Sequence, residues 1–131
     1  MNAELERQWL HSLLLRWEHT NLTMLDGQLA APQFVLDESR ARLGRWDANT
    51  RTIGISRHHL IRHTWAEIED TLKHEMAHQV VTELFSAELA KPHGELFSRA
   101  CRMLGMDRAP ITDEQVAPEH IRVLERVTKL L

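Results

Sequence analysis

The chain is poor in the residues that define several protein classes. Its 131 residues include one cysteine, Cys101, which excludes an internal disulfide and a cysteine-based zinc ribbon. No run approaches 18 apolar residues, and the first residues lack the features of a signal peptide, so we expect no membrane association. The net charge of −3 indicates no positive field for nucleic acid. These absences predict a cytoplasmic protein.

The composition that remains is typical of a globular domain, with 43% apolar and 27% charged residues. We expect one domain over residues 1–131, with an N-terminal helix over 1–20, a core over about 32–104 and a C-terminal helix over 118–131. We expect a monomer. Arginines crowd the segment from Arg40 to Arg62. Solvated strand and helix faces explain them most simply, although a local nucleic-acid contact stays open.

The middle of the chain has the pattern of a small sheet. Residues 33–36, 44–47 and 51–56 predict two or three antiparallel strands, the last two forming a hairpin around residues 48–50. Ile53 and Ile55 alternate with small or polar residues, which predicts one apolar face. Ser56 is positioned to cap a short helix over residues 57–63.

A longer helix follows. Thr64 and Glu67 form the pattern of a capping box, which predicts a helix over residues 65–86. Leu72, Met76 and Val80 recur every fourth residue and mark a buried face. Another helix is expected over residues 94–104, with Phe97, Cys101 and Leu104 facing inward.

The first of these helices contains HEMAH at residues 74–78, the HExxH pattern of zinc proteases. Chance alone predicts roughly 0.06 such matches in a chain of this composition, so the motif needs support from its context. His74 and His78 lie one helical turn apart and can bind one zinc ion, with Glu75 as general base. We expect Thr71 to share their edge of the helix, at a cleft. The alternative is a surface helix whose polar residues are merely solvated.

A third ligand decides between these interpretations. The pattern HExxHxxGxxH is excluded by Val81 and Leu84. Glu83 and Glu88 are too close or on the wrong face, and Glu95 stays open. His93 is the better candidate, because it follows a helix break and precedes the flexible Gly94.

Three segments together, RTIGIS, TLKHEMAHQVV and PHGELF, resemble the SprT-like metalloprotease domain over residues 32–104. The resemblance implies a small α+β, zincin-like fold of the gluzincin type, with helices packed on a short antiparallel sheet and HExxH on the central helix. It also implies a zinc-dependent endopeptidase with one catalytic Zn2+ held by His74, His78 and His93, and with Glu75 as base. Protein or peptide substrates follow, including proteins associated with or crosslinked to DNA, as in crosslink repair.

The chain departs from that family in lacking a zinc ribbon, in its mild acidity and in having no tyrosine to stabilise an oxyanion. Candidates for oxyanion or substrate contacts are His58, His59, His63 and Arg99. Two other functions remain open. One is a non-catalytic, zinc-stabilised binding module, and the other is a repressor-cleaving zinc protease whose third ligand is a glutamate.

Overall fold

The computed structural model describes residues 2–86 and 92–106, which form an α+β fold. Its elements in chain order are α1 (Ala3–Leu25), β1 (Gln33–Asp37), β2 (Gly44–Asp47), β3 (Thr52–Ser56), α2 (Arg57–Arg62), α3 (Trp65–Glu83) and α4 (Glu95–Met103). No helix in these two segments has the length and apolar character needed to cross a bilayer. The helix expected over 118–131 lies outside the described residues.

The three strands form a mixed sheet in the order β1-β3-β2. The β2–β3 pair is antiparallel, which confirms the hairpin, but β1 and β3 run parallel, so the expectation of an antiparallel sheet was wrong. The cause is burial. All five residues of β3 are buried and take the centre, whereas β2 is only partly buried and takes an edge. After β1 the chain therefore forms β2 at the far edge of the sheet. It then places β3 between the two, parallel to β1.

The central strand has the one apolar face that its alternation predicted, and its polar face is buried as well. Ile53 and Ile55 enter the core on one face. On the other face, an Arg45–Asp37 ion pair lies over Gly54, with Arg45 Nε donating to Asp37 Oδ2 at 2.8 Å. A Cβ at Gly54 would come within 2.3 Å of that carboxylate oxygen, so the ion pair covers the strand because residue 54 has no side chain.

The first helix is longer than predicted and ends at Leu25 instead of residue 20. Asn21, just beyond the predicted end, lies inside the helix. Its side-chain amide donates to the carbonyl of Leu29 at 2.9 Å and its Oδ1 accepts from the Leu29 N–H at 3.0 Å. The helix stops where Asp26 and Gly27 adopt left-handed φ values of 52° and 72°.

The start of α3 confirms the capping box of Thr64 and Glu67, and the N-cap of α2 by Ser56 is confirmed as well. Leu72, Met76 and Val80 are buried as predicted. However, α3 ends at Glu83, three residues before the predicted residue 86. Ser86 itself has a φ of 51°, which cannot continue a right-handed helix.

A buried amide joins α3 to the N-terminal part of the chain. Gln79 is fully buried, and its Oε1 accepts from Trp17 Nε1 at 3.1 Å. Its Nε2 donates to the carbonyl of Ala30 at 3.1 Å and to Glu83 Oε1 at 2.9 Å. Glu83 also pairs with Arg51 in the β2–β3 turn. This network fixes the orientation of α3 about its own axis. It therefore determines which side chains of α3 face β2 and α4.

Candidate metal centre

Three imidazoles converge between α3 and the start of α4. His74 and His78 lie one turn apart on α3, and His93 lies just before α4. The Nε2 atom of His93 is 3.1 Å from Nε2 of His78 and 3.3 Å from Nε2 of His74. Within the two described segments, this is the set of histidine, cysteine and acidic side chains grouped closely enough to hold a metal ion. The set does not include Glu95.

The spacing of these nitrogens fits zinc. Zinc–nitrogen bonds of about 2.0–2.1 Å in tetrahedral geometry place two ligand nitrogens about 3.3 Å apart. The two separations of 3.1 and 3.3 Å lie close to that value. Three imidazoles also leave one tetrahedral position open, which is the arrangement of a catalytic rather than a structural zinc site.

Phe97 of α4 forms a shared wall for the three imidazoles. Its ring centroid lies 5.0 Å from that of His74, 4.4 Å from that of His78 and 4.8 Å from that of His93. The Phe97 side chain is fully buried. Its inward orientation, like those of Cys101 and Leu104, confirms the prediction, but contact with all three candidate ligands was not foreseen. The segment PHGELF, which ends at this residue, was the available signal.

Glu75 lies against the first residue of β2. Only 6% of its surface is exposed. A Cβ atom at Gly44 would lie 3.2 Å from both Cγ and Oε2 of Glu75, and 2.9 Å from Cγ2 of Thr71. The absence of a side chain at residue 44 therefore makes the space that the carboxylate occupies. This role was not predicted, because in the sequence Gly44 is recognisable only as the first residue of a strand.

Burial dominates the protonation of this carboxyl group. Desolvation raises the pKa of Glu75 to about 8, and the positive charge of Arg42 opposes that shift. A cation held by the neighbouring imidazoles would lower the pKa, because an opposite charge favours the ionised carboxylate.

Thr71 does not lie at a cleft as predicted, because the structure buries it. Its Oγ1 is 2.8 Å from Nε2 of His59, whose Nδ1 contacts Nδ1 of His63. Desolvation lowers the pKa of His59 to about 4, with a further contribution from His63. His59 is thus a neutral, buried histidine that packs α2 against α3.

The other two candidates for oxyanion or substrate contacts lie elsewhere. His58 lines a surface pocket with Glu6, Arg57 and Ile61. The guanidinium of Arg99 lies 5.4 Å from the ring centroid of Phe85. The identity of the oxyanion-stabilising residue stays a prediction for all four candidates.

Ion pairs neutralise half of the arginines between residues 40 and 62. Arg45 pairs with Asp37, Arg51 with Glu83, and Arg57 with Glu6 and Glu38. The other three arginines, Arg40, Arg42 and Arg62, are exposed and form no ion pair with any carboxylate in the described part of the chain. The free positive charge of this region is therefore concentrated at a few positions.

Comparison with known proteins adds a family assignment. The model of the SprT-like family matches residues 13–115, which is most of the chain and includes all three histidines and Glu75. No curated protein and no solved structure matches.

Proposed function

Because the chain belongs to the SprT-like family, we propose that it is a zinc-dependent endopeptidase with His74, His78 and His93 as metal ligands. Membership of this family suggests a zinc-metalloprotease-like function. The observation that carries the proposal is the convergence of three imidazoles beside a buried glutamate, with Nε2 of His93 at zinc-ligand spacing from Nε2 of both His74 and His78. When bound, zinc supplies Lewis-acid chemistry, polarising a carbonyl and making water more acidic.

Glu75 is the general base. It follows the first ligand on the same helix and lies at the boundary between α3 and β2. In the proposed reaction its carboxylate takes a proton from the attacking water and transfers it to the leaving amine. Burial holds the carboxyl group in one position and keeps bulk water from competing for that proton.

The outer edge of β2 is the proposed binding site for the peptide. β2 pairs with β3 on one side, and no strand among the described residues pairs with its other side. An extended peptide can add to such an edge through backbone hydrogen bonds, which need no particular side chains. Gly44 begins this edge beside Glu75, so a peptide aligned along β2 passes the base.

Proteins associated with or crosslinked to DNA are the substrate class that we propose from the family resemblance. The net charge of −3 does not favour DNA binding by the whole chain. The test must therefore include substrates with and without DNA.

A comparison of the wild-type chain with Glu75→Gln tests the proposal. Both zinc-loaded proteins are incubated with an unfolded protein and with the same protein crosslinked to single-stranded DNA. We expect cleavage by the wild type, and a loss of at least about 100-fold in Glu75→Gln, since a general base contributes about 10²–10⁴-fold. Zinc content should be equal in the two proteins.

Glu69→Gln is the matched control. It is the same substitution on the same helix, at a partly exposed residue that pairs with Arg16. Equal cleavage by Glu75→Gln and the wild type would contradict the assignment of the base. Failure of the zinc-loaded wild type to cleave either substrate would contradict the proposed function.

A further inference from the structure

The loop that leads into β2 is held in place at the candidate active site. Ser39 Oγ accepts from the N–H of Arg42 at 3.0 Å, which closes a tight turn. The buried Ser56 holds both sides of that turn: its Oγ donates to the Ser39 carbonyl at 2.7 Å, and its N–H donates to the Leu43 carbonyl at 2.9 Å. The turn is therefore a fixed platform rather than a free loop.

This platform presents two cations. Arg40 and Arg42 are exposed, and neither forms an ion pair with a carboxylate in residues 2–86 or 92–106. The contrast with their neighbours is informative, because Arg45 and Arg57 are both neutralised by acidic partners. A guanidinium that the protein leaves without a carboxylate keeps its full capacity to bind one from a ligand.

Arg42 is closer in sequence than Arg40 to β2, which begins beside Glu75. It lies two residues before Gly44, where an added Cβ would be 3.2 Å from Cγ and Oε2 of Glu75. Two residues of extended chain span at most about 7 Å. A peptide bound along the edge of β2 would therefore bring its side chains past this guanidinium.

We propose that Arg42 is a specificity-determining residue that binds an aspartate or glutamate side chain of the peptide substrate, within about two residues of the scissile bond. The inference rests on the proposed function, since it assumes a peptide on the outer edge of β2. Arg40 strengthens the positive field of the same turn. A carboxylate fits better than a nucleic-acid backbone, because two cations on a chain of net charge −3 are few for a strand of phosphates.

Peptide binding to zinc-loaded Glu75→Gln, which holds substrates without cutting them, tests the proposal. The probes are fluorescent peptides that differ only by Glu, Gln or Lys, at each position within two residues of the central bond. At one position we expect the Glu peptide to bind about 5- to 10-fold more tightly than the Lys peptide, from one ion pair gained and one repulsion avoided. Adding Arg42→Glu should reverse the order, and 0.5 M salt should weaken the preference in both proteins.

Arg62→Glu is the matched control, because it changes the charge equally at an exposed arginine that also lacks a carboxylate partner in the described residues. It should leave the preference unchanged. Equal binding of the three peptides at every position, or a preference that Arg42→Glu does not alter, would overturn the proposal. The proposal would also be overturned if Arg42→Glu abolished the binding of single-stranded DNA but kept the preference among the peptides.

The same peptides distinguish a failure of the proposed endopeptidase activity from a failure of the proposed role of Arg42. If the zinc-loaded wild type cleaves none of these peptides while Glu75→Gln discriminates among them, the binding role of Arg42 stands and the endopeptidase activity does not. If the wild type cleaves all of them at equal rates, the activity stands and the role of Arg42 does not.

Discussion

Gly44→Ala should separate the position of Glu75 from the binding of metal. The added Cβ would lie 2.9 Å from Thr71 Cγ2 and 3.2 Å from Cγ and Oε2 of Glu75, all closer than ordinary contact. Thr71 cannot yield easily, since it is buried and its Oγ1 is hydrogen bonded to His59. The Glu75 side chain, at 3.2 Å from the added Cβ, must also give by a few tenths of an ångström.

We expect two effects of different size. Overpacking should lower the free energy of unfolding by about 1–3 kcal/mol. Cleavage should fall by about 10- to 100-fold, because a displacement of up to 1 Å at a catalytic group costs about that much. Zinc affinity should change little, since the atoms nearest to the added Cβ belong to Thr71 and Glu75 and not to the three imidazoles. The assays are urea unfolding, zinc titration and the initial rate of peptide cleavage.

Gly54→Ala is the matched control on the opposite face of the sheet. Its Cβ would meet the Asp37–Arg45 ion pair instead of α3, so it should lower stability without a comparable loss of cleavage per folded molecule. Combining Gly44→Ala with Thr71→Ser, which removes the nearest methyl group, should restore part of the activity. Full activity in zinc-loaded, folded Gly44→Ala would refute the reasoning.

Three further predictions concern packing and pH. Phe97→Ala should cost about 3–5 kcal/mol of stability and lower zinc affinity, because the wall behind all three imidazoles is removed; calorimetric titration with zinc measures the second effect. Gln79→Ala should cost about 2–3 kcal/mol in urea unfolding, because Trp17 Nε1 is left buried without its acceptor, and an unchanged midpoint would contradict this. His59, whose folded pKa is about 4, stays neutral while the unfolded chain takes up a proton. Stability from this group is therefore lost as the pH falls from 6.5 toward 4, by about 2 kcal/mol between pH 7 and pH 5. His59→Phe should lose correspondingly less over that interval, and equal losses in the two proteins would contradict the assignment.

Local patterns predicted local structure well. The capping box at Thr64, the cap at Ser56 and the β2–β3 hairpin each depend on residues close together in sequence, and each was confirmed. The parallel pairing of β1 with β3 was missed, because strand order depends on which strand is most buried in the whole fold. The continuation of α1 through Asn21 was missed for a similar reason, since the partner of Asn21 is Leu29, beyond the helix.

In the candidate site, too, the features that depend on neighbouring residues were predicted, and those that depend on the packing of distant elements were not. His74, Glu75 and His78 are read from one helical segment, and His93 from its place before Gly94. The space that Gly44 leaves for Glu75 and the shared wall of Phe97 arise only when β2 and α4 pack against α3. Thr71 was wrongly expected at a cleft, because its neighbour His59 comes from a different helix.

An anomalous difference map, recorded at the zinc absorption edge from crystals of protein purified without chelator, tests the central claim most directly. We predict one peak per chain, about 2.0–2.1 Å from the Nε2 atoms of His74, His78 and His93. A peak bound by only two of these histidines, a peak at another site, or less than one zinc ion per chain would contradict the account.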